Sequence, residues 1–472
     1  MIIGREKEIE KLEESLKSKE SELIAVYGRR RVGKTFLVRE VYKKQIVFEL
    51  VGLYRGTMED QLRNFHEQLK DASIKFKDSP IPRDWTEAFG LLKKYINGLR
   101  AGKKKVIFID EFPWIATARS KFLMIFENFW NAFCTSKKDL VVVVCGSAAA
   151  YMVKNIINNR GGLHNRLSQK IQLEAFNLHE TKLFLNSRGI RLNDYSIIQL
   201  YMVLGGIPHY LKMPRKGESA VQAVDRLCFE KGGDLTNEFN EVFKSLFRKS
   251  KLHETIARGL ATSQKGVLRE ELLKVTKLPS NGDFSNALNE LIDSGFAQKY
   301  IPYGKVQRKS LYRLTDELSL FHIKFIEPYK DQGAGTWSKL FSKPTNVIWS
   351  GFVFESICIK HVAQIKKALK IEGIHSINSS WTNGKAQVDL VIARDDNRVN
   401  LCEMKFYNKE FTIDKKGLNN LKNKVEEFIK DTKIKGQVVI TMITTYGVEE
   451  NGNYHEVVEN SFEMDCLFEK VS

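Results

Sequence analysis

With 472 residues, 43% of them hydrophobic and 28% charged, the chain has an ordinary composition for a soluble protein and a length that suits about three domains. The longest nearly apolar stretch, residues 140–153, is shorter than the roughly 18 residues that a membrane helix needs, and charges at residues 5–7 interrupt any signal sequence, so we expect a cytoplasmic protein with no membrane contact. The net charge of +18 and the pI near 9.4 fit a polyanionic partner, with nucleic acid as the leading candidate, or diffuse charge that keeps the protein in solution.

A glycine-rich loop follows the first apolar run of the chain. Residues 23–27 read LIAVY and predict a buried strand, residues 28–35 read GRRRVGKT, and a helix is predicted to open at Thr35. In such a loop several backbone N–H groups point at one anion, while Lys34 reaches the β and γ phosphates and the Thr35 hydroxyl ligates Mg²⁺. The flanking strand and helix disfavour the alternative of a surface glycine turn. The sequence therefore predicts an ATP site at Gly28, Arg29, Arg30, Arg31, Val32, Gly33, Lys34, Thr35 and Phe36.

A second apolar run, residues 106–109, ends in the acidic pair Asp110 and Glu111. Four consecutive apolar residues are typical of a strand covered on both faces of a parallel sheet, and ligands bind at the carboxyl ends of such strands. We expect Asp110 to bind Mg²⁺ and Glu111 to polarise the attacking water. On its own an Asp-Glu pair is typical of a solvated loop, but here it is the partner that a phosphate-binding loop requires.

A third apolar run, residues 140–145, is followed by Gly146 and Ser147. In ATPases with an acidic catalytic residue, a polar side chain on a strand between the other two often touches the γ-phosphate and the attacking water, and Ser147 stands where such a residue is expected. The alternative is a serine that caps a helix predicted over residues 148–153. The sequence leaves both roles open.

Strand-like and helix-like segments alternate through residues 1–175, with further strands predicted at residues 46–51 and 170–173. This alternation predicts an α/β fold, in which residues 1–175 form a three-layer domain with a mainly parallel sheet. A helical pattern follows and predicts a lid over residues 176–248. The motif GGIP at residues 205–208 interrupts this lid, because proline cannot continue a helix.

Residues 249–330 carry the pattern of two short helices and two strands. Apolar residues around Leu272 and Leu288 predict the helices, and residues 296–301 and 311–314 predict a strand pair. This order predicts a winged-helix module. The predicted wing carries basic residues that suit backbone phosphate contacts, namely Lys299, Lys305, Arg308, Lys309 and Arg313. DNA contact is one role for such a module, and a rigid arm packed on the nucleotide domain is the other.

Residues 331–345 contain several turn formers and predict a linker to a last domain over residues 346–472. There Asp389 lies within an apolar strand pattern, and Glu403 and Lys405 are two residues apart on a later strand, so that they share one face. Two acids can hold Mg²⁺ against a scissile phosphate while the lysine stabilises charge or orients water. A Glu-x-Lys pair alone is weak evidence, since any exposed strand with alternating charges contains one.

The order of these C-terminal segments resembles the core of the PD-(D/E)xK nucleases, an α/β fold of the restriction-endonuclease type. The resemblance implies Mg²⁺ ligands at Asp389 and Glu403, with Glu355 on the preceding helix as the supporting acid. Val388 stands where that family has proline. The alternative is a nuclease fold that serves only to bind DNA or another partner.

Six motifs within residues 1–250 together resemble the archaeal-type ATPases of the AAA+/STAND group. These motifs are residues 3–8, 27–35, 109–112, 146–147, 162–166 and 205–208. The resemblance implies that the nucleotide base is flanked by Gly4, Arg5, Gly206 and Pro208. It also makes Arg166 a candidate sensor or finger on the γ-phosphate, with a plain surface arginine as the alternative. A nuclease-like domain fused to such an ATPase extends the resemblance over nearly the whole chain.

These features predict an ATP-hydrolysing molecular switch, in which movement of the lid repositions the C-terminal domains on DNA. Lys34, Thr35 and Asp110 would hold ATP and Mg²⁺, and Asp389 would take part in Mg²⁺-dependent DNA cleavage. A competing interpretation is a STAND-type signalling or defence switch whose C-terminal domains bind protein or DNA without cutting. A nucleotide-binding scaffold without turnover is disfavoured by Glu111. The sequence leaves a homo-oligomer and a protein partner open.

Overall fold

A computed structural model describes residues 2–117, 119–159, 161–263 and 265–471. In this structure the apolar segments that are predicted as strands pair into sheets. The chain divides into two units, Met1–Glu174 and Ala175–Ser472. No helix within these described ranges combines the length and the apolar character of a membrane span. Residues 1 and 472, the outer limits of the predicted domains, lie outside the described residues.

Strands and helices alternate along the first unit. Its strands are β1 (Glu22–Tyr27), β2 (Ile46–Val51), β3 (Lys105–Asp110), β4 (Leu140–Gly146) and β5 (Gln169–Gln172). Its α-helices are α1 (Glu6–Lys17), α2 (Lys34–Val41), α3 (Met58–Ala72), α4 (Trp85–Asn97), α5 (Phe112–Ile115), α6 (Phe122–Ala132) and α7 (Ala149–Met152). The short 3₁₀ and π turns are Ile74–Phe76, Cys134–Ser136 and Val153–Ile157.

The five strands of this sheet pair in parallel, in the order β2-β3-β4-β1-β5. Every residue of β3 and β4 is buried, which explains why their sequences are nearly continuous apolar runs rather than alternating patterns. Because β4 separates β1 from β3, the residues that follow these three strands meet at one edge of the sheet. The predicted α/β fold with a parallel sheet is confirmed.

Aromatic side chains pack on one face of this sheet. Phe112 of α5 contacts Phe122 and Phe126 of α6, with ring centroids 5.2 Å apart in both pairs. Trp85 of α4 meets Phe122 edge-on, with ring centroids 4.6 Å apart. Each such pair stabilises a fold by about 0.5–1.5 kcal/mol beyond the area that it buries. This packing fixes α5, which begins directly after Glu111, against the sheet.

The second unit contains a helical part and two further sheets. Its α-helices are α8 (Leu178–Ser187), α9 (Asp194–Leu204), α10 (Pro208–Leu211), α11 (Ala220–Cys228), α12 (Glu238–Leu246), α13 (Ser250–Leu260), α14 (Arg269–Thr276), α15 (Gly282–Asp293), α16 (Glu317–Phe321), α17 (Glu327–Tyr329), α18 (Thr336–Phe341), α19 (Pro344–Lys360), α20 (Val362–Ala368), α21 (Lys415–Thr432) and α22 (Gly452–Val457). Its strands are β6 (Val267–Leu268), β7 (Ala297–Tyr300), β8 (Leu311–Leu314), β9 (Ser376–Thr382), β10 (Gln387–Arg394), β11 (Arg398–Lys405), β12 (Gln437–Thr444) and β13 (Val458–Glu463).

Helices α13, α14 and α15 pack with a three-stranded antiparallel sheet of order β6-β8-β7. Leu272, Leu288 and Phe296 are buried in the core between them. The strand predicted over residues 311–314 has these bounds in the structure. β8 is the central strand of the sheet, so that both of its edges are covered by neighbouring strands.

The last sheet has the order β13-β12-β11-β10-β9. β9, β10 and β11 pair antiparallel, whereas β11, β12 and β13 pair in parallel. α21 connects β11 to β12, and its residues Leu418, Leu421 and Phe428 are buried in the core of this sheet. Asp389 on β10 and Glu403 on β11 therefore lie on neighbouring strands.

The segment predicted as a linker, residues 331–345, contains the helix α18. Trp337 on this helix is buried, and the Asp225 carboxylate accepts hydrogen bonds from the Gly335 amide at 2.5 Å and from the Trp337 amide at 2.6 Å. A carboxylate that accepts two amides at a helix N-terminus holds that helix in place. The segment predicted as a linker therefore contains a helix that a distant side chain holds in place, and its role as a linker stays a prediction.

Candidate functional site

The loop between β1 and α2 has an unusual backbone conformation. Gly28 has φ 142°, and a Cβ atom at this position would lie 2.2 Å from the Leu173 carbonyl oxygen. Gly33, which precedes α2, has φ 96°, and Arg31 has φ 73°. Positive φ values in such a loop turn N–H groups inward and form an anion-binding concavity in front of a helix N-terminus. The backbone of the predicted phosphate loop therefore fits a phosphate group.

Lys34 is the buried cation of this loop, with its side chain 5% exposed, whereas the three arginines of the loop are half-buried. Its ammonium donates to the carbonyl oxygens of Gly28 and Arg29 at 3.1 and 2.9 Å, and to the Ser147 hydroxyl at 3.0 Å. Burial lowers the pKa of Lys34, while neighbouring thiol and carboxyl groups act in the opposite direction. A positive charge held at this point can neutralise phosphate oxygens bound by the loop.

Thr35 and Asp110 bring two oxygen ligands together. The Thr35 hydroxyl donates to Asp110 Oδ2 at 2.6 Å, and the Asp110 side chain is 3% exposed. Asp110 Oδ1 accepts a hydrogen bond from the Glu111 amide at 2.8 Å, which fixes the orientation of the carboxylate. Hydroxyl and carboxylate oxygens are ligands that Mg²⁺ prefers. The donor set at the end of β3 and the start of α2 therefore fits a magnesium ion.

Glu111 and Ser147 form the third contact at this edge of the sheet. The Glu111 carboxylate accepts hydrogen bonds from the Ser147 hydroxyl at 2.7 Å and from the Ser147 amide at 3.2 Å. Glu111 has φ 47°, a left-handed conformation that is uncommon for a residue with a side chain. Ala148, and not Ser147, is the N-terminal capping position of α7. The Ser147 hydroxyl thus links Lys34 to Glu111, which favours a role at the phosphate over the capping role.

The remaining loop residues differ in exposure. Val32 is 2% exposed and belongs to the core, whereas Phe36 on α2 is 49% exposed. Arg29 and Arg30 are half-buried. Val32 therefore anchors the loop, and Phe36 contributes little to the packing of its unit.

Gly4, Arg5 and Arg166 lie in the first unit. Gly4 and Arg5 have φ values of 64° and 68°. Arg5 is buried, and its Nη2 donates to the Glu174 carbonyl oxygen at 2.5 Å, so that this arginine ties the start of the chain to the segment after β5. Arg166 is exposed in a turn where its amide donates to the Leu163 carbonyl oxygen at 3.1 Å.

Gly206 and Pro208 lie in the second unit, at the break between α9 and α10. A Cβ atom on Gly206 would lie 1.7 Å from the Phe176 carbonyl oxygen, so this position requires glycine. Pro208 is the first residue of α10, where proline is tolerated because no intrahelical N–H bond is lost. The predicted break in the helical segment is present, and its position at the nucleotide base stays a prediction.

Comparisons with known proteins agree with the geometry of the loop. Residues 2–213 match a family described as an ATPase domain predominantly from Archaea. An ATP-binding protein of Pyrococcus abyssi is 30% identical over 229 residues, which span 45% of this chain and 68% of that protein. The chain belongs to this archaeal ATPase family. The predicted ATP-binding domain is thereby confirmed.

Two further proteins are similar to this archaeal ATPase. An uncharacterized protein of Methanocaldococcus jannaschii is 23% identical over 485 residues, which span 99% of this chain and 98% of that protein. The solved Walker-type ATPase paby2304 of Pyrococcus abyssi is 18% identical, with a TM-score of 0.46 over 69% of this chain and 96% of that chain.

The second unit of this archaeal ATPase carries the acidic residues predicted as a nuclease-like site. Glu403 on β11 is 14% exposed and forms two ion pairs, from Oε1 to Lys405 at 2.7 Å and from Oε2 to Lys424 at 2.6 Å. The sequence interpretation missed Lys424 on α21. The sequence indicates this residue only weakly: Lys424 follows the buried Leu421 by three residues and so lies at the edge of the apolar face of α21.

Glu355 on α19 lies within electrostatic range of the other acids. Burial and the Asp389 carboxylate raise the pKa of Glu355 to about 8, while Lys405 acts in the opposite direction. Asp389 Oδ1 accepts a hydrogen bond from Gln387 Nε2 at 2.6 Å. Glu403, by contrast, has a lowered pKa, since its two lysine partners outweigh the effect of its burial.

The three predicted metal ligands of this domain do not form a closed metal-binding cluster. Across the part of the chain that the structure describes, no three His, Cys, Asp or Glu side chains gather closely enough to hold a metal ion. The expected ligand set of Glu355, Asp389 and Glu403 stays a prediction. Both carboxylate oxygens of Glu403 are engaged, by Lys405 and by Lys424.

Arg313 also differs from its expected place on an exposed wing. It lies on the central strand β8 and is 9% exposed, and its side chain contacts Gln298 and the Tyr300 ring of the neighbouring strand β7. Burial lowers the pKa of Arg313, while Tyr300, Asp389 and Glu355 act in the opposite direction. Arg313 therefore faces the acidic residues and does not lie on an exposed wing. Lys299, Lys305, Arg308 and Lys309 are exposed, as expected.

Proposed function

We propose that this protein is an ATP-driven switch whose second unit acts on DNA. The proposal depends on one observation, the paired contacts Lys34–Ser147–Glu111 and Thr35–Asp110 at the carboxyl edge of the parallel sheet. These contacts assemble a phosphate-binding cation, two candidate Mg²⁺ ligands and a carboxylate within one network. The family match, which supports ATPase activity, agrees with this arrangement.

Each residue of the network has a proposed role in hydrolysis. Lys34 would neutralise the phosphate oxygens, and Thr35 and Asp110 would hold Mg²⁺, which when bound would supply further charge neutralisation at the phosphates. Glu111 accepts a hydrogen bond and orients the attacking water, while Ser147 holds Glu111 in position and contacts the γ-phosphate. Gly4, Arg5, Gly206 and Pro208 are proposed to flank the base, with Arg166 as a sensor.

Replacement of Lys34 by Ala tests the first half of the proposal. We expect ATP hydrolysis to be lost, because the buried ammonium is the cation held by the loop carbonyls and by Ser147. Steady-state phosphate release measures the effect, and Lys44→Ala, an exposed lysine in the turn after α2, is the matched control. Intact turnover in the Lys34 variant would refute the assignment.

The second unit is proposed to contain a helical lid (176–248), a winged helix (249–330) and a nuclease-like domain (346–472). The order of α13 to α15 and β6 to β8 supports the winged helix, and exposed Lys299, Lys305, Arg308 and Lys309 suit DNA backbone phosphates. The order α19, β9, β10, β11, α21, β12 supports the nuclease-like domain. Asp389, Glu403, Lys405 and Glu355 are its candidate catalytic residues.

A second candidate function, favoured by the ion pairs of Glu403, is a STAND-type switch whose C-terminal domain binds a partner without cutting. Incubation of plasmid and linear DNA with Mg²⁺ separates the two functions. If the protein is a nuclease, the unmodified protein should cut DNA and Asp389→Ala should not. If the unmodified protein does not cut DNA at all, only the binding function is left. DNA affinity that falls steeply with salt favours a DNA partner, because phosphate contacts release counterions and apolar protein contacts do not.

A further inference from the structure

The second unit contains a cavity of about 490 Å³ beside Asp389. One wall consists of the turn before β6, part of α14, β7, β8 and the loop between them, and the other wall consists of α19, β9 and β10. The volume lies within the range of pockets that hold one small ligand. The cationic side chains of the lining are Lys265, Lys305, Lys309 and Arg313, and the carboxylates are Glu271, Glu355 and Asp389.

Direct contacts hold the two walls together. The Tyr303 amide donates to the Ser380 carbonyl oxygen at 2.6 Å, and the Tyr303 ring lies 5.4 Å from the Phe428 ring. Lys305 Nζ lies 3.7 Å from Asp431 Oδ2. The loop after β7 is thus attached to the C-terminal sheet, so that the cavity is a preformed feature of this unit.

Arg313 is a buried cation of this lining with unused hydrogen-bonding capacity. Its Nη2 donates to Gln298 Oε1 at 2.9 Å, and its guanidinium lies 5.3 Å from the centre of the Tyr300 ring. Its Nε is buried without a hydrogen-bond partner among the described residues. A buried donor without an acceptor is unfavourable, and the planar guanidinium matches phosphate oxygens in pairs.

We propose that this cavity binds one unpaired nucleotide of a nucleic acid strand, with its phosphate at Arg313 and Lys309. The proposal rests on the DNA contact proposed for the second unit and specifies its substrate. The cationic wall would hold the phosphate, and the Asp389 side of the cavity would face the adjoining phosphodiester. Tyr300, which is half-buried in the lining, offers an aromatic ring for contact with the base.

The size of the cavity selects an unpaired nucleotide over a duplex. A duplex has a major groove about 12 Å wide between two backbones, which a pocket for one small ligand cannot enclose. Enzymes that enclose a single nucleotide act on single strands or extrude that nucleotide from the helix. Single-stranded ends, gaps and flipped nucleotides are therefore the structures that fit.

The test compares single-stranded and duplex binding by the full chain without ATP and with EDTA, so that neither hydrolysis nor cutting affects the result. The probes are a fluorescein-labelled dT12 strand and a dT12·dA12 duplex, measured by anisotropy over a range of salt concentrations. For the single strand we expect Lys309→Gln to reduce the slope of log affinity against log salt by about 0.7, the value for one lost phosphate contact. Arg313→Lys should weaken single-strand binding without changing duplex binding.

Lys435→Gln is the matched control, because this exposed cation belongs to the same unit, does not line the cavity and has no proposed role in DNA binding. Equal effects of the Lys435 and Lys309 variants on the single strand would overturn the inference in favour of general surface charge. Duplex binding that falls steeply with salt would then leave the proposed function standing. Binding of free dTMP but not of dT12 would overturn the assignment to a strand, and no binding of any nucleic acid would remove both proposals.

A 4-thiothymidine substituted for one residue of dT12 gives a second readout that does not depend on a variant. Irradiation should cross-link it to the peptide that contains Tyr300, identified by mass spectrometry. Cross-links confined to peptides outside the lining would contradict the proposed site. This measurement also covers the case in which an Arg313 variant fails to fold.

Discussion

Gly28 shows how one residue sets the geometry of the phosphate loop. Its φ of 142° belongs to a region that essentially only glycine adopts. Its backbone also approaches the segment after β5 so closely that a Cβ atom would meet the Leu173 carbonyl oxygen at 2.2 Å. Conformation and space thus exclude a side chain at this position independently, and both requirements act on the loop that holds Lys34.

We predict that Gly28→Ala lowers the free energy of unfolding of the first unit by about 2–4 kcal/mol, because backbone strain and overpacking add. Urea unfolding followed by circular dichroism measures the change. Gly102→Ala is the control, since Gly102 has φ 109° but a Cβ atom added there would have no neighbouring atom within 4 Å, so that strain alone should cost about 1–2 kcal/mol. Equal losses in both variants would contradict the role of the Leu173 contact.

The part of the candidate nucleotide site whose residues lie close together in the sequence could be predicted from the sequence. The loop from Gly28 to Thr35 has a spacing fixed by the phosphates that it surrounds. The contact between Lys34 and Ser147 joins residues 113 positions apart, so that the sequence left two roles open for this serine. Lys424, paired with Glu403 across 21 positions, carried no local signal and was missed.

The strands of the fold were more predictable than their surroundings. β2 and β8 have the predicted bounds, because an apolar or alternating run reports directly on burial. What packs on the face of a strand depends on contacts between distant parts of the chain, so the burial of the Arg313 side chain on β8 could not be predicted. α18 was missed for a related reason, since glycines at 333 and 335 suggest a loop while the distant Asp225 orders the helix.

We predict that Asp225→Ala destabilises the segment around α18 by about 2–3 kcal/mol, because two backbone amides lose a charged acceptor that is largely buried. Limited proteolysis with mass spectrometry should show faster cleavage between residues 330 and 343. Asp234→Ala, at an exposed carboxylate nearby in sequence, should leave the cleavage rate unchanged. Unchanged protection of α18 in the Asp225 variant would show that Trp337 burial alone holds the helix.

Buried histidines join distant segments within the second unit. His361 Nε2 accepts a hydrogen bond from the Leu178 amide at 2.9 Å, at the N-terminus of α8, and His361 Nδ1 donates to the Ile357 carbonyl oxygen at 2.7 Å. His322 stacks on Phe239 with ring centroids 4.9 Å apart. Burial lowers the pKa of both histidines to about 4, so that both are neutral in the folded protein at pH 7.

These shifts predict a loss of stability on acidification. A histidine in the unfolded chain has a pKa of about 6.5, so below this pH protons bind the unfolded chain but not the folded one. The free energy of unfolding that the neutral histidines contribute is therefore lost as the pH falls toward 4. Glu355 acts in the opposite direction. Its pKa of about 8 means that the folded protein already binds this proton, while the unfolded chain takes it up only near pH 4.3.

We therefore predict that the free energy of unfolding of the second unit falls by roughly 1 kcal/mol between pH 7 and pH 5 in the natural protein, and by roughly 4 kcal/mol in Glu355→Gln, where the opposing contribution is removed. Urea unfolding at both pH values measures the difference. Glu372→Gln, at an exposed carboxylate, should retain the shallow dependence of the natural protein. If the free energy of unfolding of Glu355→Gln depended on pH as weakly as that of the natural protein, Glu355 would be ionised in the folded protein at pH 7. Its carboxylate would then carry a negative charge next to Asp389. The steep dependence, by contrast, requires that Glu355 carries a proton at pH 7 in the folded protein, because desolvation and the neighbouring Asp389 carboxylate disfavour its charged form.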